Sequence, residues 1–390
     1  MSKIDKCPLQ KRCGGCQYQG VPYEEQLKKK EAWVRKLMGN FCEVHPIAGM
    51  ENPYYYRNKV HAVVDQDKKG NIITGVYQEG THRVVPVETC MIEDQLADEI
   101  IGTIRKLAKS FKFKAYNEDT GYGLLRHILV KRGFATGQVM VVIVTGSTVF
   151  PSRNNFVKAL LKAHPEITTI VHNINDKRTS MVLGDREKTM YGKGYIEDIL
   201  CGKKFRISAK SFYQINPVQT EVLYNKAIEV AGFTGKEYVI DAYCGIGTIG
   251  MVASDHADAV IGVELNRDAV RDAIGNAKGN KVNNIRFVCD DAGKFMVNMA
   301  AAAKEDKSVR LPDVVLMDPP RSGSDKAFLS SVVKMNPEKV VYVSCNPETL
   351  ARDVRWLEQN GYKAKGVWPV DMFPWTGHVE VVTCLQRVNS

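Results

Sequence analysis

Between residue 238 and the C-terminus, short apolar runs recur with room for one helix between each: 238–241, 259–263, 285–288, 314–317 and 340–343. Strands separated by helical stretches cannot pair as hairpins, so this rhythm predicts a mostly parallel sheet with helices on both faces. A helix over 220–231 leads into it. The last two runs, 363–368 and 380–385, have only eleven residues between them and predict an antiparallel edge. The fold class is therefore α/β, and ligands of such sheets bind at the carboxyl ends of the strands, where strand order reverses.

The first half has a different texture. Runs at 60–64, 72–77 and 84–87 alternate with turn-like 69–71 and 79–80, and helical spacing covers 92–111. Runs at 124–131 and 139–145 flank a Gly-containing turn, followed by a helix over 151–164 and a strand over 168–172. We expect an N-terminal α+β domain over 1–212 and a ligand-binding domain over 213–390. Charge divides at nearly the same place: residues 1–216 hold 34 Lys/Arg against 22 Asp/Glu, and residues 217–390 hold 20 against 22. The basic surplus points the first half towards a polyanion; Lys28, Lys29, Lys30, Arg57, Lys59, Arg126, Lys131 and Arg132 are its candidate contacts. With 44% hydrophobic and 25% charged residues the composition is that of an ordinary globular protein, and an ordered chain is expected. No run approaches the ~20 apolar residues that span a bilayer, and residues 1–10 lack the apolar core of a signal peptide. A cytoplasmic protein without membrane contact is expected.

Asp241-Ala242-Tyr243-Cys244-Gly245-Ile246-Gly247-Thr248-Ile249-Gly250 follows the first parallel run and opens a helix. Glycine there lets backbone approach a ligand. Glu264 ends the next run nineteen residues after Gly245, where an acidic side chain holds ribose hydroxyls. Gly250 completes a dinucleotide-like spacing, but two features point elsewhere. The D-x-x-C-G-x-G form resembles the first motif of S-adenosylmethionine methyltransferases, and Asp318-Pro319-Pro320-Arg321 after the fourth run is similar to the acidic-Pro-Pro turn of nucleic-acid methyltransferases.

Chemistry points to Cys345. It follows the fifth run in Ser344-Cys345-Asn346-Pro347, just before a helix whose dipole would favour its thiolate. Glu380, in Gly377-His378-Val379-Glu380, is the candidate base, and His378 a local hydrogen-bonding residue. A thiol and a base with separate jobs suit methylation of a pyrimidine carbon such as C5 of uracil, a poor nucleophile on its own: thiolate addition at C6 would make C5 enolate-like, and a base would later remove the C5 proton. The target base must be extruded or presented in a loop, with Phe212, Tyr213, Phe373 and Trp375 available to stack or to fill the core.

Cys7, Cys13 and Cys16 form C-x5-C-G-G-C, and Cys90 or Cys42 could supply a fourth thiol. Only one short knuckle exists, so a four-iron cluster suits the spacing better than zinc, with Cys90 the preferred fourth ligand.

Together, C-x5-C-G-G-C, F-Y-Q-I-N, D-x-x-C-G-I-G, D-P-P-R, S-C-N-P-x-T-L-A-R-D and G-H-V-E resemble the bacterial 23S rRNA (uracil-5-)-methyltransferases of the RumA type, from Cys7 to the C-terminus. The resemblance implies a Rossmann-like class I methyltransferase domain, S-adenosyl-L-methionine as methyl donor, and RNA, 23S rRNA or its precursor, as substrate of a monomer. It implies a [4Fe-4S] cluster on Cys7, Cys13, Cys16 and Cys90, nucleophile Cys345 and base Glu380. Implied cofactor contacts are Gln214, Tyr243, Glu264 and Asp318, with Thr248 and Asp291 at positions that often contribute, beside the Gly245 and Gly247 turn. Many members carry an OB-like barrel before the cysteines; here six residues precede Cys7, so RNA grip is expected from the basic first half. The competing readings are an amino-group methyltransferase, which would not need Cys345, and a non-catalytic RNA-binding or assembly protein.

Overall fold

The structure, a computed structural model, describes residues 6–388. It opens with a helical turn, α1 (Gln10–Cys13), closed by left-handed Gly14, and then α2 (Tyr23–Met38). The next sheet is built from β1 (Lys59–Gln66), β2 (Ile72–Tyr77), β3 (Val84–Pro86), α3 (Gln95–Ser110), β4 (Leu125–Arg132), β5 (Val139–Thr145), α4 (Arg153–Ala163), β6 (Ile167–Ile174) and β7 (Arg186–Tyr191). Its order is β3-β2-β1-β4-β5-β6-β7, antiparallel except where α4 carries the chain from β5 to parallel β6. Alternation sets Val60, Ala62, Ile128 and Val130 against Ile100 and Ile104 of α3 and Phe156 and Leu160 of α4. A hairpin of β8 (Tyr195–Leu200) and β9 (Lys203–Ser208) follows. Its apolar residues Ile196, Phe205 and Ile207 belong to a core shared with the second sheet.

That sheet begins after α5 (Pro217–Ala231), which starts with Pro217 at its first turn and Asn216 accepting from the Gln219 N–H. It contains β10 (Tyr238–Ala242), α6 (Thr248–Ala253), β11 (Ala259–Glu264), α7 (Arg267–Gly279), β12 (Ile285–Cys289), α8 (Ala292–Glu305), β13 (Val314–Met317), α9 (Lys326–Met335), β14 (Lys339–Ser344), α10 (Pro347–Glu358), β15 (Tyr362–Val370) and β16 (Glu380–Arg387). The order is β12-β11-β10-β13-β14-β16-β15. The first five strands are parallel, as the rhythm of runs predicts, and order reverses between β10 and β13. Both faces are covered, Val239, Val341 and Val343 in one core and Ile240, Val315 and Tyr342 in the other. The last strand inserts antiparallel between β14 and β15, leaving β15 at the edge. This insertion brings the start of β16 to the end of β14.

The earliest residues turn back to this second sheet. Val44 and Ala48 bridge in parallel to Val367 and Val370, and Val34 and Met38 of α2 share a core with Leu350 and Val354 of α10. The sequence rhythm did not reveal α2, β7 or the β8–β9 hairpin. The first two are mostly polar, with apolar signal too sparse to read: β7 is almost wholly exposed, and α2 buries only Gln26, Lys30, Val34 and Met38.

Candidate active site

The chain leaves β10 through Tyr243 (φ 65°) and Gly245 (φ 58°) and enters α6 at Gly247 (φ 82°). A left-handed tyrosine costs about 1–2 kcal/mol, and hydrogen bonds hold this turn in place. The Cys244 N–H donates to the Val263 carbonyl (3.0 Å), and the Gly245 N–H to Glu264 Oε2 (3.0 Å). The other Glu264 oxygen accepts from the Asn266 N–H at 2.7 Å. Beneath the turn, Asp241 Oδ2 accepts from the Gly250 N–H at 2.9 Å.

A cavity of about 180 Å³ opens over these strand ends. Of the expected cofactor residues, Gln214, Tyr243, Gly245, Thr248, Glu264 and Asp318 line it. Gly247 and Asp291 do not. A Cβ on Gly247 would stand 2.7 Å from the Phe287 ring, so this glycine permits close packing; Asp291 caps α8, accepting from the Lys294 N–H at 2.9 Å. The wall also includes Asp241, Tyr224 and Phe212, the last 62% exposed. Sequence reasoning gave Asp241 and Tyr224 no ligand role: Asp241 lay inside the glycine motif as a strand end, and Tyr224 carried no signal beyond helical spacing.

Three carboxylates and no cationic side chain line this cavity. Burial pushes Asp318 up to about 7 and Asp241 up to about 8, Asp241 being further raised by the charges of Asp318 and Glu264. A cationic ligand relieves that repulsion, whereas a pyrophosphate would add to it.

Asp318 also belongs to a second group of side chains. Ser344 of β14 pairs with Val381 of β16, so one further step of the register sets Cys345 beside Glu380. Burial, then the charges of Glu380 and Asp318, push the half-buried Cys345 thiol up to about 11, with Arg321 opposing. Glu380, only 4% exposed, is raised well above the usual carboxylate range by burial and by Asp318, again opposed by Arg321. The helix-dipole argument for a thiolate is therefore overturned in the free protein: desolvation and two acidic neighbours outweigh one helix end.

The loop after Asp318 is strapped to α10. Asn346 Nδ2 and Thr349 Oγ1 each donate to the Arg321 carbonyl at 3.2 Å. Buried Asp353 accepts from the Ser324 N–H (2.9 Å) and the Tyr342 hydroxyl (2.8 Å), while Arg352 donates to the Ser322 carbonyl (3.0 Å). Residues of S-C-N-P-x-T-L-A-R-D thus fix the D-P-P-R segment beside the thiol.

Residues 371–379, which lead into Glu380, are held from the other end of the chain. Lys30 Nζ, fully buried, pairs with Asp371 at 2.6 Å and donates to the Phe373 carbonyl at 3.0 Å. The Tyr56 hydroxyl donates to the Pro374 carbonyl (3.0 Å), and the Trp375 indole N–H to the Pro53 carbonyl (2.8 Å). Just past Cys16, the Tyr18 N–H donates to the Trp375 carbonyl (3.0 Å) and Gln17 Oε1 accepts from the Gly377 N–H (3.0 Å). Trp375 and Tyr213 are core residues, not exposed stacking platforms. His378 sits edge-on to Phe373 with its pKa lowered by burial.

The cysteine segment shares this brace. Cys16 and Cys90 pack against Tyr56, Ile92 and Trp375. Burial raises the Cys16 thiol, with Cys13 and Cys7 adding to the effect, and Cys16 in turn raises Cys90, which is lifted chiefly by burial and by Glu93. Cys42 lies elsewhere, near Glu358 and Lys363. None of the ten cysteines is in a disulfide. Among the described residues no three His, Cys, Asp or Glu side chains converge tightly enough for a single metal ion. Cys7, Cys13 and Cys90 each lie close enough to Cys16 for their charges to be felt, and thiols are soft donors of the kind that ligate iron and zinc.

The pattern of the tRNA (uracil-5-)-methyltransferase family matches residues 171–388. The chain belongs to that family. An uncharacterised RNA methyltransferase of Halalkalibacterium halodurans is 43% identical over 98% of this chain and 83% of its own length. One of Clostridium acetobutylicum is 42% identical over 98% of this chain and 84% of its own. The solved tRNA (uracil-54, C5)-methyltransferase of Pyrococcus abyssi, in complex with S-adenosyl-L-homocysteine, is 27% identical with a TM-score of 0.78, covering 98% of this chain and 87% of that one. For a uracil-5-methyltransferase the basic residues of the first half need correction. Lys30, Arg126 and Lys131 are buried, Arg126 donating to the Asn175 carbonyl (2.7 Å) and Lys131 to the Ser208 and Ser211 carbonyls (2.9 Å each). Arg132 pairs with Asp94 at 2.7 Å. Lys28 and Lys29 remain exposed. No helix among the described residues is long and apolar enough to cross a membrane.

Proposed function

We propose that this protein methylates C5 of a uridine in RNA, 23S rRNA being the expected substrate, through a covalent bond between Cys345 and C6. The observation that carries this is the sharing of Asp318 between a cavity lined by three carboxyl groups and no cationic side chain and the Cys345–Glu380 pair. Gln214, Tyr243, Gly245, Thr248, Glu264, Asp241 and Asp318 would hold S-adenosylmethionine, which supplies an electrophilic methyl group on a cationic sulfur. The two resemblance-implied positions outside the wall, Gly247 and Asp291, support the turn and α8 instead.

The free thiol is protonated at neutral pH, so reaction begins as its proton passes to water, a loss that the nearby Arg321 charge favours. The sulfur electron pair forms the S–C6 bond, and the C5=C6 pair shifts towards C5 and O4. The C5 pair would then take the methyl group as the donor's S–CH3 bond breaks and its pair stays on the donor sulfur, leaving a neutral thioether; Glu380 next takes the C5 proton. The C–H electrons restore C5=C6 while the S–C6 pair returns to sulfur. A carboxylate made more basic by burial is well matched to that removal.

We also propose that Cys7, Cys13, Cys16 and Cys90 hold a [4Fe-4S] cluster. Methyl transfer moves no electrons, so no step passes through it; iron and acid-labile sulfide in the purified protein, lost in Cys16→Ser, would test its presence.

For the reaction, 23S rRNA and tRNA from cells lacking the protein are incubated with it and mapped for 5-methyluridine by mass spectrometry. RNA containing 5-fluorouridine should form a denaturation-resistant adduct with the wild-type protein and none with Cys345→Ala. Methyl transfer that survives Cys345→Ala would favour an amino-group methyltransferase. Donor binding with no transfer to either RNA would favour a non-catalytic RNA-binding protein.

A further inference from the structure

A second cavity, of about 520 Å³, lies between segment 50–56, the first turn of α3, the β4–β5 turn and the start of α5. None of the chemistry above uses it. We propose that it takes an unmodified nucleobase of the same RNA, a near neighbour of the uridine presented to Cys345, stacked on Tyr55 and read by side-chain donors. This rests on the RNA-modifying function proposed above.

The volume suits a single base, within the usual ~300–1,000 Å³ of small-ligand sites. Tyr55 is 39% exposed at the cavity and sits at φ 55°, a backbone conformation that a bulky side chain rarely adopts. Its N–H donates to the Met91 carbonyl at 3.0 Å, which fixes this strained presentation of the ring. Phe134 offers a second aromatic face. Stacking of this kind tolerates any base, because each has a π-face.

Polar groups and charge narrow the ligand further. The exposed Gln95 side chain, with an amide that can donate and accept, lines the same space, as does Arg132, whose Nη1 pairs with Asp94. Glu51 and Asp94 against the single cation Arg132 make the lining unfavourable for a phosphate. A neutral base entering edge-first, its sugar–phosphate outside, meets aromatic faces and donors without that penalty. Position supports one strand serving both sites: the Tyr54 ring lies 6.2 Å from Tyr55 and 5.1 Å from Trp375, in the loop that ends at Glu380.

The test uses the full chain and bulk RNA extracted from cells that lack it. After ultraviolet cross-linking and digestion, nucleotide-bearing peptides are identified by mass spectrometry. We expect one such peptide to contain Tyr55 or Phe134, in addition to any near Phe212. Tyr55→Leu should abolish that cross-link and weaken RNA binding about five- to fifteenfold, a loss seen in KM for RNA more than in kcat. Because Tyr55→Leu could disturb folding, circular dichroism accompanies it, and the exposed Gln95→Ala provides a second variant with a smaller loss in the same direction. Cross-links confined to the Phe212 and Cys345 neighbourhood, or RNA affinity within twofold of wild type in both folded variants, would overturn the proposal. The functional reading fails separately, if wild-type protein forms no 5-methyluridine in any RNA.

Discussion

The donor cavity and the approach to Glu380 are built in opposite ways. The cavity is made from turns local in sequence: Glu264 closes on Gly245 nineteen residues away, and Asp241 on Gly250 nine away. The loop before Glu380 depends on partners more than 300 residues distant: Lys30 on Asp371, Tyr56 on Pro374 and Gln17 on Gly377. Local turns can form whenever the strand and helix beside them form. The loop acquires its shape only when the first 60 residues have docked, so the base of the proposed reaction depends on the most remote contacts in the chain.

Two substitutions press hardest on this difference. Glu380→Gln should lower methylation about 10²–10⁴-fold, the usual contribution of a general base. It should also trap ordinary RNA on Cys345 as a denaturation-resistant complex, because only proton removal is blocked. Activity within tenfold of wild type and no trapped complex would remove Glu380 from the role of base. Next, Lys30→Met leaves Asp371 charged and unpaired inside the protein, a change worth about 3–5 kcal/mol. Chemical denaturation should register that loss, and Lys30→Met with Asp371→Asn should recover part of it. A loss under ~1 kcal/mol would mean that the remote brace is not what holds the loop.

The same contrast explains what could be read from sequence. The inner parallel strands β10, β11, β13 and β14 were legible because each is a contiguous apolar run buried on both faces, whereas edge strand β12 is only half-buried or exposed and showed through its shorter apolar run; the glycine turn was legible because its spacing to Glu264 lies within one strand–helix–strand unit. Lys30 was not legible: inside Lys28-Lys29-Lys30 it reads as a solvated charge. Its only signal is phase, since Gln26, Lys30, Val34 and Met38 fall at intervals of four on the buried stripe of α2. Trp375 could not be recognised as a brace because its partners, Pro53 and Gln26, lie over 300 residues away. The protonated state of Cys345 was missed for a related reason. A helix start is visible in sequence, but desolvation and the carboxylates of Glu380 and Asp318 arrive only with the tertiary fold.

The cavity side of the comparison has its own pH signature. Asp241, with a pKa near 8 in the folded chain and an ordinary carboxylate value when unfolded, retains a proton on folding between about pH 4 and 8. Stability from this group is thus present at the acidic end and is lost as pH rises through that window, by up to about 1.4 kcal/mol per pH unit. Asp241→Asn, which keeps an oxygen to accept from the Gly250 N–H, should flatten the slope relative to wild type. Denaturation midpoints at pH 5 and pH 8 would show it, and parallel slopes for the two proteins would contradict the assigned burial of charge.

The smallest effect is expected where the cysteine segment touches the loop. The Gln17 side chain accepts from the Gly377 N–H at an exposed position, and water can replace it. Gln17→Ala should therefore cost no more than about 0.5–1 kcal/mol in global stability. Its consequence should be local: faster amide exchange at Gly377, with the Lys30–Asp371 pair and Trp375 core still holding the rest of the loop. If Gln17→Ala instead loosened the loop as much as Lys30→Met, the cysteine segment itself, and not the buried ion pair, would be the principal support of Glu380.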